Sequence, residues 1–153
     1  MQKETIAPFQ IIGISVRTSN QDNQAATDIP ALWNQFISES TMEKIPNKID
    51  SEVYSIYTNY EGDHTQPYDT ILGCKVSTLK DIPKGMIGQA FEGGKVAKFT
   101  SKGNLEDNII YKTWLDIWNA DLDRTFTADF EVHGAKSMDR TNAEVDIFVA
   151  INE

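Results

Sequence analysis

The feature that most restricts the fold of this chain is an order of elements that occurs twice. PFQIIGISVRTS alternates Ile12, Ile14 and Val16, the period-two pattern of a β-strand. In TDIPALWNQFISES, residues Ile29, Leu32, Trp33, Phe36 and Ile37 fall at i, i+3, i+4, i+7 and i+8, the apolar stripe of an amphipathic helix. Asp28 is the expected N-cap, and Pro30 suits a first turn. VYSIYTNYEG and DTILGCKVST read as strands, joined as a hairpin by the polar DHTQPYD. After the loop TLKDIPKG the order returns. MIGQAFEGGKVAKFTSKG is strand-like and interrupted at EGG. LEDNIIYKTWLDIWNADL carries Tyr111, Trp114, Leu115, Trp118 and Leu122 at helical spacing, and FTADFEVHG and AEVDIFVAIN are strands.

The chain is thus strand, helix, strand, strand, and then the same again, in pseudo-repeats of about residues 8–78 and 84–152. Each half alone is too small to bury a good core, so the two are expected to fold as one domain over residues 1–153. The predicted fold class is α+β: a tandem pseudo-repeat with a mostly antiparallel sheet and two main helices. A central ligand cleft is expected where the halves meet.

Composition narrows the function. Lys plus Arg number 14 against 23 Asp plus Glu, a net charge of −9, and no basic stripe interrupts the acidity. Phosphate-backbone binding needs clustered cations, so direct nucleic-acid binding is not expected. An acidic chain attracts cationic partners through its field. No apolar run approaches the ~18–20 residues of a membrane-spanning helix, and MQKETIAPFQ carries no apolar signal segment. A single cysteine, Cys74, fits a reducing compartment, and a cytoplasmic location is expected. Within ILGCKV, Cys74 alternates with Leu72 and Val76 as a small core residue. Two histidines and one cysteine make no metal cluster of usual spacing, EGGKVAK fails the phosphate-loop pattern, and no nucleophile elbow is present. No metal and no cofactor are expected.

The residue that carries chemistry lies in RTFTADFEVHG. Phe130 and Val132 alternate toward one face, which turns Glu131 to the other with Asp129 and His133 as neighbours. Tyr60-Glu61 answers Phe130-Glu131 in the first half, but Glu61 adjoins a turn and is expected in solvent. Around Glu131 the layout places Tyr57 by strand parity and Trp114 and Trp118 from the second helix. It adds Phe148, taken to point away from Val145, Ile147 and Val149. One reading is a solvated sheet face. The other is a carboxylate in an aromatic pocket, where desolvation raises its pKa and a lipophilic cation offsets the cost through ion pairing and cation–π contact.

The chain resembles the GyrI-like effector-binding domains, in particular the stand-alone integron-associated effector-binding branch. The resemblance rests on IIGISVRTSN, YTNYEGD, PYDTILGCKV, KFTSKG, WLDIW, RTFTADFEVHG and VDIFVAI, in that order and spacing. It implies a tandem strand-helix-strand-strand fold and a cleft for lipophilic, often cationic, small molecules. It also implies that the acidic residue of the DFE element, here Glu131, is the ligand's charge partner. His133 stands where that element usually has an aromatic such as Tyr. No helix-turn-helix segment is present and the recognisable domain fills the chain, so regulation of transcription would need a protein partner carrying the DNA-binding domain. Drug sequestration needs none. Two further functions stay open: a small-molecule hydrolase with Glu131 as general acid, and a protein-interaction module of the gyrase-inhibitor kind.

Overall fold

A computed structural model describes residues 1–152. In chain order the strands are Gln2–Ile6 (β1), Phe9–Thr18 (β2), Val53–Thr58 (β3), Tyr68–Lys75 (β4), Ile87–Phe91 (β5), Gly94–Gly103 (β6), Ala128–His133 (β7) and Ala143–Ala150 (β8). The α-helices are Gln24–Ser38 (α1), Thr41–Lys44 (α2) and Ile109–Asn119 (α3). All eight strands form one antiparallel sheet in the order β1-β6-β8-β7-β3-β4-β2-β5.

The repeat is visible in that order. β3 and β7 pair at the centre, from Val53 opposite His133 to Thr58 opposite Ala128. β4 and β2 continue the sheet on one side, and β8 and β6 on the other. The outermost strands are exchanged. β1 leads into β2 but pairs with β6, and β5 leads into β6 but pairs with β2. Each half therefore edges the other, which ties the two into one body. Gly93, in the β5–β6 turn, has φ +76, and a Cβ there would lie 2.2 Å from the Ile6 carbonyl oxygen, so only glycine lets β1 run past. Sequence reading gave no strand to QKETI, which has little apolar alternation. Its pairing with β6 is a tertiary effect.

Helix α1 starts earlier than its apolar stripe suggests. A single 3₁₀ turn, Gln21–Asn23, leads in, and Asn23 takes a left-handed conformation without a side-chain cap. Asp28 is therefore not the N-cap: it lies inside the helix and accepts from the Gln24 side chain at 3.2 Å. Pro30 likewise lies inside α1 rather than in its first turn.

Helices α1 and α3 pack on one face of the sheet. Leu32 and Phe36 of α1 cover Ile12, Ile14, Leu72 and Cys74. Trp114 and Ile117 of α3 cover Val145, Ile147 and Val149. Full burial of each aliphatic side chain contributes about 1.5–3 kcal/mol. The opposite face has its own core, in which Ile56, Ile71, Phe130 and Phe148 pack with Ile11, Tyr54, Phe91 and Val96. Between α1 and α3, the central strands β3 and β7 are left with a polar floor, and this is where the site lies. Among the described residues, no helix is long and apolar enough to cross a membrane.

Candidate functional site

Ser55 and Glu131 face each other across the β3–β7 seam, on the helix side of the sheet. Glu131 is only 4% exposed. Its Oε2 accepts from the Tyr57 hydroxyl at 2.7 Å and from the Trp114 indole N–H at 2.8 Å. Its Oε1 lies 2.9 Å from Nε2 of His133. Ser55 extends the chain, donating to the Tyr57 hydroxyl at 3.3 Å. Each partner follows from local structure. Strand parity brings Tyr57 and His133 to the helix face, and Trp114 occupies the inner stripe of α3.

Burial alone pushes the Glu131 carboxyl up. The hydrogen bond and charge of His133, with the donors on Trp114 and Tyr57, outweigh it and hold the carboxyl below its ordinary value. This overturns the expectation of a raised pKa. The aromatic setting was anticipated, but the polar edges those aromatics turn toward the carboxylate reverse the direction. Burial raises the Tyr57 hydroxyl well above its usual range, with the Glu131 charge adding to it, so Tyr57 stays a donor.

The rings close into a circuit. Tyr57 meets Trp114, Trp114 meets Trp118, and Trp118 stacks on His64 with planes 8° apart. His64 stacks on Phe126, Phe126 meets Tyr60, Tyr60 meets Tyr68, and Tyr68 returns to Tyr57. Neighbouring centroids are 5.3 to 6.5 Å apart. From the other side, Trp33 of α1 sets its ring edge-on to His133 at 4.9 Å.

Of the residues singled out in the sequence, Tyr57, Trp114 and Trp118 thus gather with Glu131. Phe148 does not. It pairs in register with Phe130 and stacks on it at 4.9 Å, on the opposite face. The error lay in giving the sheet one core face. Ile147 faces the same side as Glu131, so its neighbour Phe148 must face away, and both sides are packed. Glu61 lies beyond the end of β3, exposed and 3.6 Å from Arg17, and is no partner to Glu131. Trp33, Tyr60, His64, Tyr68 and Phe126 are additions from the structure: Trp33 belongs to the α1 stripe, Tyr68 opens β4, and Tyr60, His64 and Phe126 come from loops that carry no periodicity.

Asp129, two residues before Glu131 on the same face, is fully buried. Its Oδ2 accepts from Arg124 at 2.7 Å and from the Tyr60 hydroxyl at 2.6 Å, and its Oδ1 from the Ala150 backbone N–H at 2.8 Å. Of two cavities, of about 650 and 490 Å³, the larger borders the circuit at Tyr60 and Phe126. Both reach Phe9 and Phe91, and neither is lined by Glu131, Trp114 or Trp118. Glu131 itself is buried beside the Tyr57 and Trp114 rings.

The chain thus forms an antiparallel sheet of two exchanged halves, with a buried glutamate among aromatics between two helices. The sequence model of the integron-associated effector binding proteins (Cass2) matches residues 4–151, and the chain belongs to that family. It is 32% identical over 155 residues to YobU of Bacillus subtilis (strain 168), whose name describes a candidate transcriptional regulator. That match covers 92% of this chain and 91% of YobU. Among solved structures, an integron cassette protein of Vibrio cholerae superposes with a TM-score of 0.77 at 27% identity, over 99% of this chain and 95% of the other. The protein SAV2435, solved with tetraphenylphosphonium bound, superposes with a TM-score of 0.80 over 99% of this chain and 93% of its own. At 15% identity that likeness concerns the fold.

Proposed function

We propose that this protein binds lipophilic organic cations between α1 and α3, with Glu131 as their charge partner. The observation that carries the reading is the company Glu131 keeps. Among the described residues its polar partners are a phenol, an indole and an imidazole, with no Lys or Arg ion-paired to it. A buried carboxylate without a permanent counterion is costly. An apolar cation supplies the missing charge and can lie against the faces of Tyr57, Trp114 and Trp118. The net charge of −9 favours its approach. Tetraphenylphosphonium, the ligand in SAV2435, is a cation of this kind. Glu131 is only 4% exposed, so a ligand reaches it by parting the side chains that cover it. Where the ligand is read out in transcription, the DNA contact belongs to a protein partner; a sequestering role needs none.

The test is calorimetric titration of tetraphenylphosphonium into the native protein and into Glu131→Gln. The glutamine keeps the shape and an acceptor for Tyr57 and Trp114 but removes the charge. Affinity is expected to fall at least tenfold. Equal affinity of the two proteins would contradict the reading.

A further inference from the structure

We infer that His133 is the resident cation of this site, and that a lipophilic cation binds by taking Glu131 over from it, with release of the imidazole proton to solvent. The inference rests on the proposed cation site and specifies how that site is regulated and what it selects. Of the three side chains on Glu131, Tyr57 and Trp114 are neutral donors, and His133 is the one that can carry a positive charge. Its Nε2 lies 2.9 Å from Oε1, the oxygen that Tyr57 and Trp114 leave free. An arginine there would be a permanent partner, as Arg124 is for Asp129. A histidine can surrender its charge when a better cation arrives.

The surroundings suit such an exchange. The His133 side chain is 16% exposed, so its proton has a short way to water, while the Glu131 side chain is 5% exposed. Trp33 packs edge-on against the imidazole from α1 and carries no charge. Opposite on β3 is Val53, and beside it the Glu52 carboxylate lies against the Gly134 backbone. The Tyr57 hydroxyl donates to Glu131 and the Tyr68 hydroxyl to Asn20, and burial keeps both protonated. Beyond Gly134, Lys136 is paired with Glu144. The site's other imidazole, His64, is stacked on Trp118.

The exchange balances. Protonated His133 on ionised Glu131 plus a cation gives the cation on Glu131, neutral His133 and one proton in solution. Binding is therefore favoured by low proton concentration, and affinity rises with pH through the range in which an imidazole titrates. Cations are selected over neutral compounds, because a neutral ligand cannot replace the imidazolium.

The test uses tetraphenylphosphonium, which has no proton of its own. Its affinity is measured from pH 5 to 9 for the native protein, Glu131→Gln and His133→Gln, with calorimetry in two buffers of different ionisation enthalpy. The native protein is expected to gain up to about tenfold in affinity per pH unit wherever binding displaces the imidazole proton, with about one proton released there. His133→Gln keeps a donor toward Glu131 and is expected to bind with no such slope and no proton release. A flat profile in the native protein, with binding still lost in Glu131→Gln, would overturn the exchange and leave the cation site standing. An unchanged slope in His133→Gln would overturn it too, and would point to His64. The two-buffer measurement on the native protein decides the matter even where a variant fails to fold. No binding at any pH would overturn the proposed function and the exchange together.

Discussion

Asp129 and Glu131 are two buried acids two residues apart on one strand, facing the same way, and they are neutralised by opposite strategies. Asp129 receives Arg124, Tyr60 and a backbone N–H, a set that satisfies both oxygens with a permanent charge. The Arg124 guanidinium is itself buried and lies 4.4 Å from the centre of the Phe126 ring. This cluster locks the loop before β7 to the end of β8, where Arg124 bridges to Ile151. Glu131 receives the same number of donors, and none is a permanent cation. A carboxylate closed by arginine has no use for a second cation, whereas one closed by hydrogen bonds and a titratable ring has. Burial alone therefore does not mark a ligand site in this protein. What sets the proposed site apart from Asp129 is the nature of the counterion.

The sharpest way to break the comparison is to remove the arginine. Arg124→Met leaves the Asp129 charge in a fully buried place, and unfolding in urea should show a loss of about 3–5 kcal/mol. Glu131→Gln, measured alongside, should lose much less stability, because it removes the charge itself. Comparable losses from the two variants would erase the distinction between a structural and a functional acid.

A second, smaller effect is the dependence of stability on acid. Hydrogen bonds hold the Glu131 carboxyl below its ordinary value of 4.5, so its contribution is present above that pH and is lost as pH falls through the lower, folded-state value. The stability advantage of the native protein over Glu131→Gln should therefore shrink as pH falls below about 4.5. An advantage that grew on acidification would mean that desolvation, not hydrogen bonding, governs the group.

The smallest effect sharpens the division between the two faces of the sheet. Phe148→Leu loosens the stack on Phe130 and should cost about 1 kcal/mol of stability. It should leave the affinity for tetraphenylphosphonium unchanged. A tenfold loss of affinity would return Phe148 to the site.

How much of this was legible in the sequence depends on periodicity. The helical stripes of α1 and α3 and the alternation in β2, β7 and β8 are local signals, and they place Glu131 on the face away from Phe130 without any structure. Tyr57 and Trp114 follow from the same counting. The exchanged edge strands do not, because β1 has little apolar pattern and owes its state to its neighbour β6. Phe148 went astray because alternation says which residues share a face but not that both faces are buried. The direction of the Glu131 shift was missed because type and spacing predict rings nearby, while it is their N–H and O–H edges, aimed to within 2.8 Å, that set the sign. His64 and Phe126 reach the site through loops, which only tertiary structure positions.

The central claim is that Glu131 is held ready for a positive charge. Trp33, Trp114 and Trp118 all lie at the site, so intrinsic fluorescence reports on it directly. The decisive measurement is a fluorescence titration of the native protein with tetraphenylphosphonium and, in parallel, with neutral triphenylphosphine oxide. The account predicts saturable binding of the cation at least tenfold tighter than of the neutral compound. Equal binding of the two would mean that the site reads shape and apolar surface alone, and that the charge on Glu131 serves the fold.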